Sequence, residues 1–273
     1  MSGKLYVVGT PIGNLEDFSP RAVRILSEVD FIAAEDTRVT LKLLNHFGIK
    51  KELVSYYEHN KISKGEILIN RILNGESAAV VTDAGMPCIS DPGQDLVDSA
   101  HNAGIAVESV PGPSALITAL AISGFSSGRF CFEGFLSVNK ISRKQHLNEI
   151  KSERRTLIFY EAPHKLIATL SDMMSVLGNR NIVLCKELTK IHETVMRTTF
   201  KDALIFFETN TPKGEYVLII EGEKEEIKEY TLSDAVTIAK RLANSGESMS
   251  AAAKEAAAVT GIKKGDIYKM LLM

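Results

Sequence analysis

The 273-residue sequence predicts an α/β protein: a mainly parallel N-terminal sheet, a second mixed α+β domain and a small C-terminal helical module. Three observations carry that reading. Through about residue 125, short apolar runs alternate with helical patterns at the spacing of βαβ crossovers, which makes a parallel sheet covered on both faces. Beyond it, strand-like runs outnumber helical ones. From residue 231 the chain is alanine-rich and has no strand pattern. The expected divisions are 1–124, 125–229 and 230–273.

In the first domain, strands are expected at Leu5–Val8, Phe31–Ala34, Leu53–Tyr57, Ala78–Thr82 and Val107–Val110. Ser19-Pro20 reads as an N-cap followed by proline at the first helical position. Leu41–Phe47 should end at Gly48, and a helix from about Gly93 to Ala103 at Gly104. Ser63-x-x-Glu66 has the form of a capping box opening Ile67–Leu73. The small-residue stretch Gly124-Phe125-Ser126-Ser127-Gly128 suits a linker. The second domain should hold strands at Phe130–Phe135, Thr156–Tyr160, Ile182–Glu187, Thr194–Thr199 and Glu215–Glu221. Helices are expected near Lys144–Lys151, Lys165–Val176 and Lys201–Glu208. After the charged segment Glu221–Glu229, three short helices complete the chain.

Composition narrows the function. The apolar share of 45% and charged share of 24% are those of an ordinary globular protein. No apolar run is long enough for a membrane span, and Met1-Ser2-Gly3-Lys4 leads straight into a strand with no secretion signal. Cys88, Cys131 and Cys185 are odd in number and match no metal spacing, which fits a reducing cytoplasm and no metal centre. The net charge of −2 gives no global attraction to nucleic acid, so any such contact must be local.

Three rigid turns follow strands of the first domain. Gly9-Thr10-Pro11-Ile12-Gly13-Asn14 invites a dinucleotide reading, but its spacing is not G-x-G-x-x-G, Pro11 removes a donor, and the next helix begins only at Ser19-Pro20. Thr82–Gly93 and Val110–Ala115 are rich in proline, glycine and small polar residues. At the carboxyl edge of one sheet, such turns can line a crevice with backbone groups. None carries lysine or arginine and no phosphate-binding loop occurs, so a heterocycle with an uncharged or zwitterionic tail fits better than a triphosphate.

These turns, with Ala34-Glu35-Asp36-Thr37-Arg38, Tyr160-Glu161-Ala162-Pro163-His164 and Gly214-Glu215-Tyr216-Val217-Leu218, resemble the tetrapyrrole-methylase superfamily, and within it the ribosomal RNA small subunit methyltransferase I branch. The resemblance implies a tetrapyrrole-methylase-like fold and a homodimeric enzyme using S-adenosyl-L-methionine, bound in the cleft between the first two domains. It implies methylation of the ribose 2′-oxygen of the decoding-centre (P-site) cytidine of 16S rRNA in the small ribosomal subunit. It also implies cofactor contacts at Pro11, Gly85, Met86, Pro87, Ser90, Ser127, Gly128, Tyr160 and Glu161. The C-methylating relatives have Gly-Asp-Pro where this chain has Gly85-Met86-Pro87, so Met86 has no acidic role.

Methyl transfer to a ribose hydroxyl needs alignment and a proton acceptor. Glu35, Asp36, Asp83, Asp91, His59 and Glu187 are candidates at the rim, and Asp36, Arg38 and His59 form the expected catalytic set. Arg38 can equally contact substrate or pair with Asp36; His59 can equally cap a loop. Of Tyr56 and Tyr57, strand alternation leaves at most one free to stack on a base. Lys140, Arg143, Lys144, His146, Lys151, Arg154 and Arg155 form the densest basic stretch, either an RNA contact or a solvated face. Met249–Ala258, Gly261 and Lys263–Leu272 resemble a helix-turn-helix, with Lys263, Lys264 and Lys269 on its second helix. Two other functions fit the same features: a porphyrinoid C-methyltransferase, and a non-enzymatic nucleic-acid-binding ligand sensor.

Overall fold

The computed structural model describes residues 3–224 and 230–273. The chain divides after Glu223 into two compact units. The expected boundary at residue 229 and most of the charged segment before it lie outside the described residues.

The first unit holds two five-stranded sheets. In one, β1 (Lys4–Val8), β2 (Phe31–Ala34), β3 (Glu52–Ser55), β4 (Ala78–Val81) and β5 (Ala106–Val110) are all parallel, in the order β3-β2-β4-β1-β5. Every residue of β2 and β4 is buried, because helices cover both faces. Strand alternation divides the core. Val8, Ile32, Ala34, Ala79 and Val81 meet α1 (Pro20–Glu28) and α2 (Thr37–His46). Leu5, Phe31, Ala33, Ala78 and Val80 meet α3 (Lys61–Leu73) and α4 (Gly93–Asn102). Ser19 caps α1, its Oγ accepting from Ala22 N at 3.1 Å.

Two local expectations change. Ser63 lies inside α3 rather than at its start, so no capping box forms there. Asn60 precedes the helix, and its side chain instead accepts from Tyr57 N and donates to Ser55 O, bracing the loop after β3. A short 3-10 turn, Leu15–Asp17, capped by Asn14, also stands between the first glycine turn and α1. Tyr56 is buried and Tyr57 exposed, as alternation requires, although the strand itself stops at Ser55.

The other sheet runs β6 (Phe130–Phe135), β7 (Thr156–Glu161), β10 (Tyr216–Ile220), β8 (Asn181–Lys186), β9 (Thr194–Thr199). Only β6 and β7 pair in parallel, so this is the mixed sheet expected. One face packs on α6 (Lys140–Glu149), α7 (Leu166–Leu177) and α8 (Phe200–Thr209) through Leu147, Leu170, Met173, Phe200 and Phe207. The other receives α5 (Ala115–Ser123). This helix follows directly from β5, yet its Leu116, Ala119 and Leu120 bury against Ile158, Val183, Val217 and Ile219 of the second sheet.

The second unit is a three-helix cluster of α9 (Leu232–Asn244), α10 (Met249–Thr260) and α11 (Lys264–Leu271). Its core is Ala235, Val236, Ala239, Ala252, Ala253, Ala256 and Ile267, small side chains that let the helices approach closely. Thr231 and Asp234 form a capping box and Gly261 ends α10 in the left-handed conformation. Among the described residues no helix is long and apolar enough to cross a membrane.

One member of the basic stretch around α6 is internal, whereas Lys140, Lys151, Arg154 and Arg155 are exposed. Arg143 is buried, with Nε and Nη2 donating to Asp172 Oδ2 at 2.9 and 2.6 Å and Nη1 donating to the carbonyls of Ser137 and Val138. His146 pairs with Glu133 at 2.9 Å and Arg155 with Glu153 at 2.6 Å. These partners take Arg143 out of any contact surface, while Lys140 and Lys151 stay exposed. Arg143→Met should therefore cost about 3 kcal/mol, the low end for a broken buried pair, because Asp172 keeps only Lys144, 3.8 Å from its Oδ1. In chemical denaturation, Arg143→Met/Asp172→Leu should recover most of that loss; a loss under about 0.5 kcal/mol, the ordinary range of a surface substitution, would contradict the buried pair.

Candidate active site

All five strands of the first sheet run the same way, so the segments after β1, β2, β4 and β5 emerge at one edge. Backbone contacts clip them together. Thr10 and Gly85 form an antiparallel bridge, Thr10 N donating to Gly85 O at 2.9 Å and Gly85 N to Thr10 O at 3.2 Å. Gly9 and Gly112 lie so close that a Cβ on Gly9 would sit 2.7 Å from the Gly112 Cα. Gly85 adopts φ +89°, and a Cβ there would meet Ile12 at 3.2 Å and the Pro113 carbonyl at 3.3 Å. A side chain at Gly85 would thus strain the loop itself as well as intrude on the cleft.

The first turn also reaches the second sheet. Ile12, 9% exposed, buries among Leu116, Val183, Cys185, Leu188 and Val217. Tyr160 Oη, from β7, accepts from Leu116 N at 3.1 Å and so caps a backbone group at the start of α5. Its ring lies between Phe132 and Phe135, with centroids at 5.0 and 5.5 Å.

Between these elements lies a cleft of about 500 Å³, within the usual range for small-molecule sites. Ile12, Met86, Ile89, Leu188 and Val217 supply apolar wall. Six carboxylates line it (Glu35, Asp83, Asp91, Glu161, Glu187 and Glu215) against one lysine, Lys190. The three turns contain no cation, but the crevice they help form does; this corrects the picture of a site without one. Lys190 Nζ lies 3.1 Å from Glu187 Oε1 and 3.6 Å from Glu215 Oε2, while its stem packs on Gly13.

Several of the carboxylates are already held. Thr82 Oγ1 donates to Glu35 Oε2 at 2.5 Å. Asp91 Oδ1 accepts from Cys88 N and Gly93 N, locking the loop after β4. Glu161 accepts from Ala162 N, Thr169 Oγ1 and Lys165 Nζ, which accounts for its burial. The backbone N–H of Glu215, and then Lys190, hold Glu187 below the usual carboxylate range. Asp83 goes the other way: burial, then the nearby Glu35 charge, push its carboxyl up. The non-glycine residues with positive φ, Cys88, Glu187 and Thr189, all sit in the two loops beside the cleft.

Of the residues expected to contact cofactor, Gly85, Met86, Ser90, Tyr160 and Glu161 line this cleft. Pro11 lines an adjoining depression. Pro87 is buried in the loop after β4, and Ser127 and Gly128 are exposed beyond the cleft lining. The expected catalytic set is not brought together around it. Asp36 caps α2 and binds Arg38 through two oxygens, with contacts at 3.0 and 2.6 Å, and Arg38 holds its carboxyl down at about 2. Arg38 thus pairs with Asp36 while its side chain stays 87% exposed. His59 lies in the loop after β3, its ring edge-on to Tyr57. Lys190 and Ile12 were not expected at the site. Ile12 belongs to the first turn, which the sequence does mark, without being singled out within it; Lys190 follows β8 of the second sheet, three residues after the rim candidate Glu187.

The family model for Tetrapyrrole (Corrin/Porphyrin) Methylases matches residues 4–204, and this family uses S-adenosylmethionine. A Halalkalibacterium halodurans protein named Ribosomal RNA small subunit methyltransferase I is 49% identical over 273 residues, 98% of this chain and 94% of that one. The protein of the same name from Escherichia coli O157:H7 is 44% identical across 99% of this chain and 95% of its own. One from Thermotoga maritima, 45% identical, matches over 222 residues, 81% of this chain and all of its own length. Among solved structures, diphthine synthase superposes with a TM-score of 0.62 at 13% identity, covering 82% of this chain and 91% of that one. Uroporphyrin-III-C-methyltransferase from Thermus thermophilus gives 0.57 at 20% identity, covering 80% and 94%. These two likenesses speak for the fold. With the clipped turns, the two sheets and the near full-length matches together, the chain belongs to the ribosomal RNA small subunit methyltransferase I family of the tetrapyrrole methylases.

Proposed function

We propose that this chain transfers the methyl group of S-adenosylmethionine to small-subunit ribosomal RNA, at the ribose 2′-oxygen of the decoding-centre cytidine. The observation that carries the reading is the charge of the cleft. Five carboxylates facing one lysine that Glu187 and Glu215 neutralise, with the Glu161 carboxylate buried against Lys165, favour a ligand bearing a sulfonium and an ammonium, and disfavour a polyphosphate. The apolar wall is suited to the adenine ring, and the volume fits the group. Gly85, Met86 and Ser90 would hold it from the loop after β4, and Tyr160 from the end of β7.

Bound there, the donor would supply a methyl carbon on positively charged sulfur; in-line attack by the hydroxyl oxygen would form the O–C bond as the C–S bond breaks, the sulfur leaving as a neutral thioether and the hydroxyl proton passing to a base. The protein's work is alignment, exclusion of water and acceptance of that proton. The Thr10–Gly85 bridge and the Gly9–Gly112 contact keep the turns from shifting as ligands enter. Asp83 is the group we assign as proton acceptor. It lines both the cleft and the adjoining depression, and its raised carboxyl makes it a better base than its rim neighbour Asp36, which Arg38 holds ionised.

Asp83→Asn should lower kcat by about 10²–10⁴-fold with little change in donor affinity. In the parent enzyme kcat should fall as pH drops through the raised Asp83 value, because only the ionised carboxylate accepts a proton; Asp83→Asn should lose that acid limb. An unchanged kcat would remove Asp83 from the mechanism. The function itself is tested by mapping ribose methylation in small-subunit RNA from cells with and without the protein, beside donor titration by calorimetry. The reading requires one decoding-centre cytidine to lose its 2′-O-methyl group; an unaltered map would refute it.

A further inference from the structure

Beside the cleft lies a second depression of about 500 Å³. The two share Ile12, Thr82, Asp83, Ala84, Lys190 and Glu215, so they meet along one ridge. Its outer wall is one face of α2: Val39, Lys42, Leu43 and His46, spaced i, i+3, i+4 and i+7. Opposite stand Pro11, Gly13 and Leu15 from the first turn.

The chemistry changes across the ridge. The cleft is acidic, whereas every charged or titratable residue that lines only the depression is basic: Lys42 and His46. Both are exposed, and Lys42 makes no hydrogen bond or ion pair among the described residues. Of the other basic groups considered for RNA contact, Arg143, His146 and Arg155 are paired with carboxylates and Lys264 Nζ donates to Ser250 Oγ at 3.0 Å, and none of that set lines this depression. Leu15 and Val39 are 41% and 38% exposed at the depression's rim, apolar surface on which a base can rest.

We infer that this depression seats the target nucleotide of a single-stranded RNA segment, with Lys42 on its flanking phosphate and the α2 face beneath its base. The inference rests on the function proposed above. A nucleotide there lies across the shared ridge from the donor, with Asp83 between them, while its phosphate stays clear of the acidic cleft. Lys42 is a substrate-binding residue in this arrangement; it takes no part in methyl transfer itself.

The test uses full-length protein, isolated small ribosomal subunits and labelled S-adenosylmethionine. Lys42→Glu should raise KM for the subunit by about three- to tenfold, leave donor affinity and the unfolding midpoint unchanged, and make the salt dependence of kcat/KM shallower by about one in log–log slope. Lys42→Arg should restore the slope. Lys201→Glu, an equally exposed lysine at the start of α8, should change none of these. An unchanged subunit KM and slope for Lys42→Glu, or an equal loss of donor binding, would overturn the inference while leaving methylation of the subunit intact. Failure of the parent protein to label the subunit would instead defeat the underlying function and this inference with it.

Discussion

Ile12 leaves the turn after β1 and ends in the apolar layer between α5 and the second sheet. The rest of the site depends on that insertion. Its backbone neighbours are fixed by the Thr10–Gly85 bridge, so the residue that anchors one sheet to the other also sets the edge from which the loop after β4 projects. From the opposite side, Tyr160 reaches the start of α5, and the Lys190 stem lies on Gly13. Three contacts from two sheets thus define one cleft. Each comes from a loop or strand end backed by parallel or mixed β-structure, which is the rigid support that exact placement of reacting groups requires.

Electrostatics then divides the labour. A sulfonium donor and a polyanionic RNA make opposite demands, and one surface cannot satisfy both. The cleft meets the first with carboxylates held by backbone N–H groups, threonines and Lys190. The neighbouring α2 face meets the second with exposed basic groups. Asp83 stands where the two surfaces join. Its carboxyl is pushed upward by burial and by Glu35, whereas Asp36, whose backbone N–H donates to Asp83 Oδ1 at 3.1 Å, is pulled down by Arg38. Neighbouring acids with opposite shifts are a means of giving otherwise similar groups different tasks.

Arg143 and Lys190 show two different ways in which local sequence misleads. A dense basic stretch reads as an exposed surface because solvated residues dominate such runs, but the Asp172 that buries Arg143 lies 29 positions away on another helix. The reverse holds for Lys190: the rim candidate Glu187 stands three residues before it, yet the lysine itself gains its place through Gly13 and Glu215, both distant in the chain. Ser63-x-x-Glu66 is a third kind of error. The motif has the right letters, yet α3 begins two residues earlier, and Asn60 is occupied in bracing the preceding loop.

The amino-acid order alone determined the parallel first sheet, the mixed second one and the helical end of the chain, because apolar periodicity and capping are local properties that need no partner. It also marked the three glycine- and proline-rich turns, since a stiff turn is written in consecutive residues. Only tertiary structure decided that α5 covers the second sheet, that Ile12 locks the two sheets together, and which charged groups face the cleft. Those outcomes depend on contacts between residues tens of positions apart, whose pairing is set by chain packing and leaves no periodic trace in the sequence.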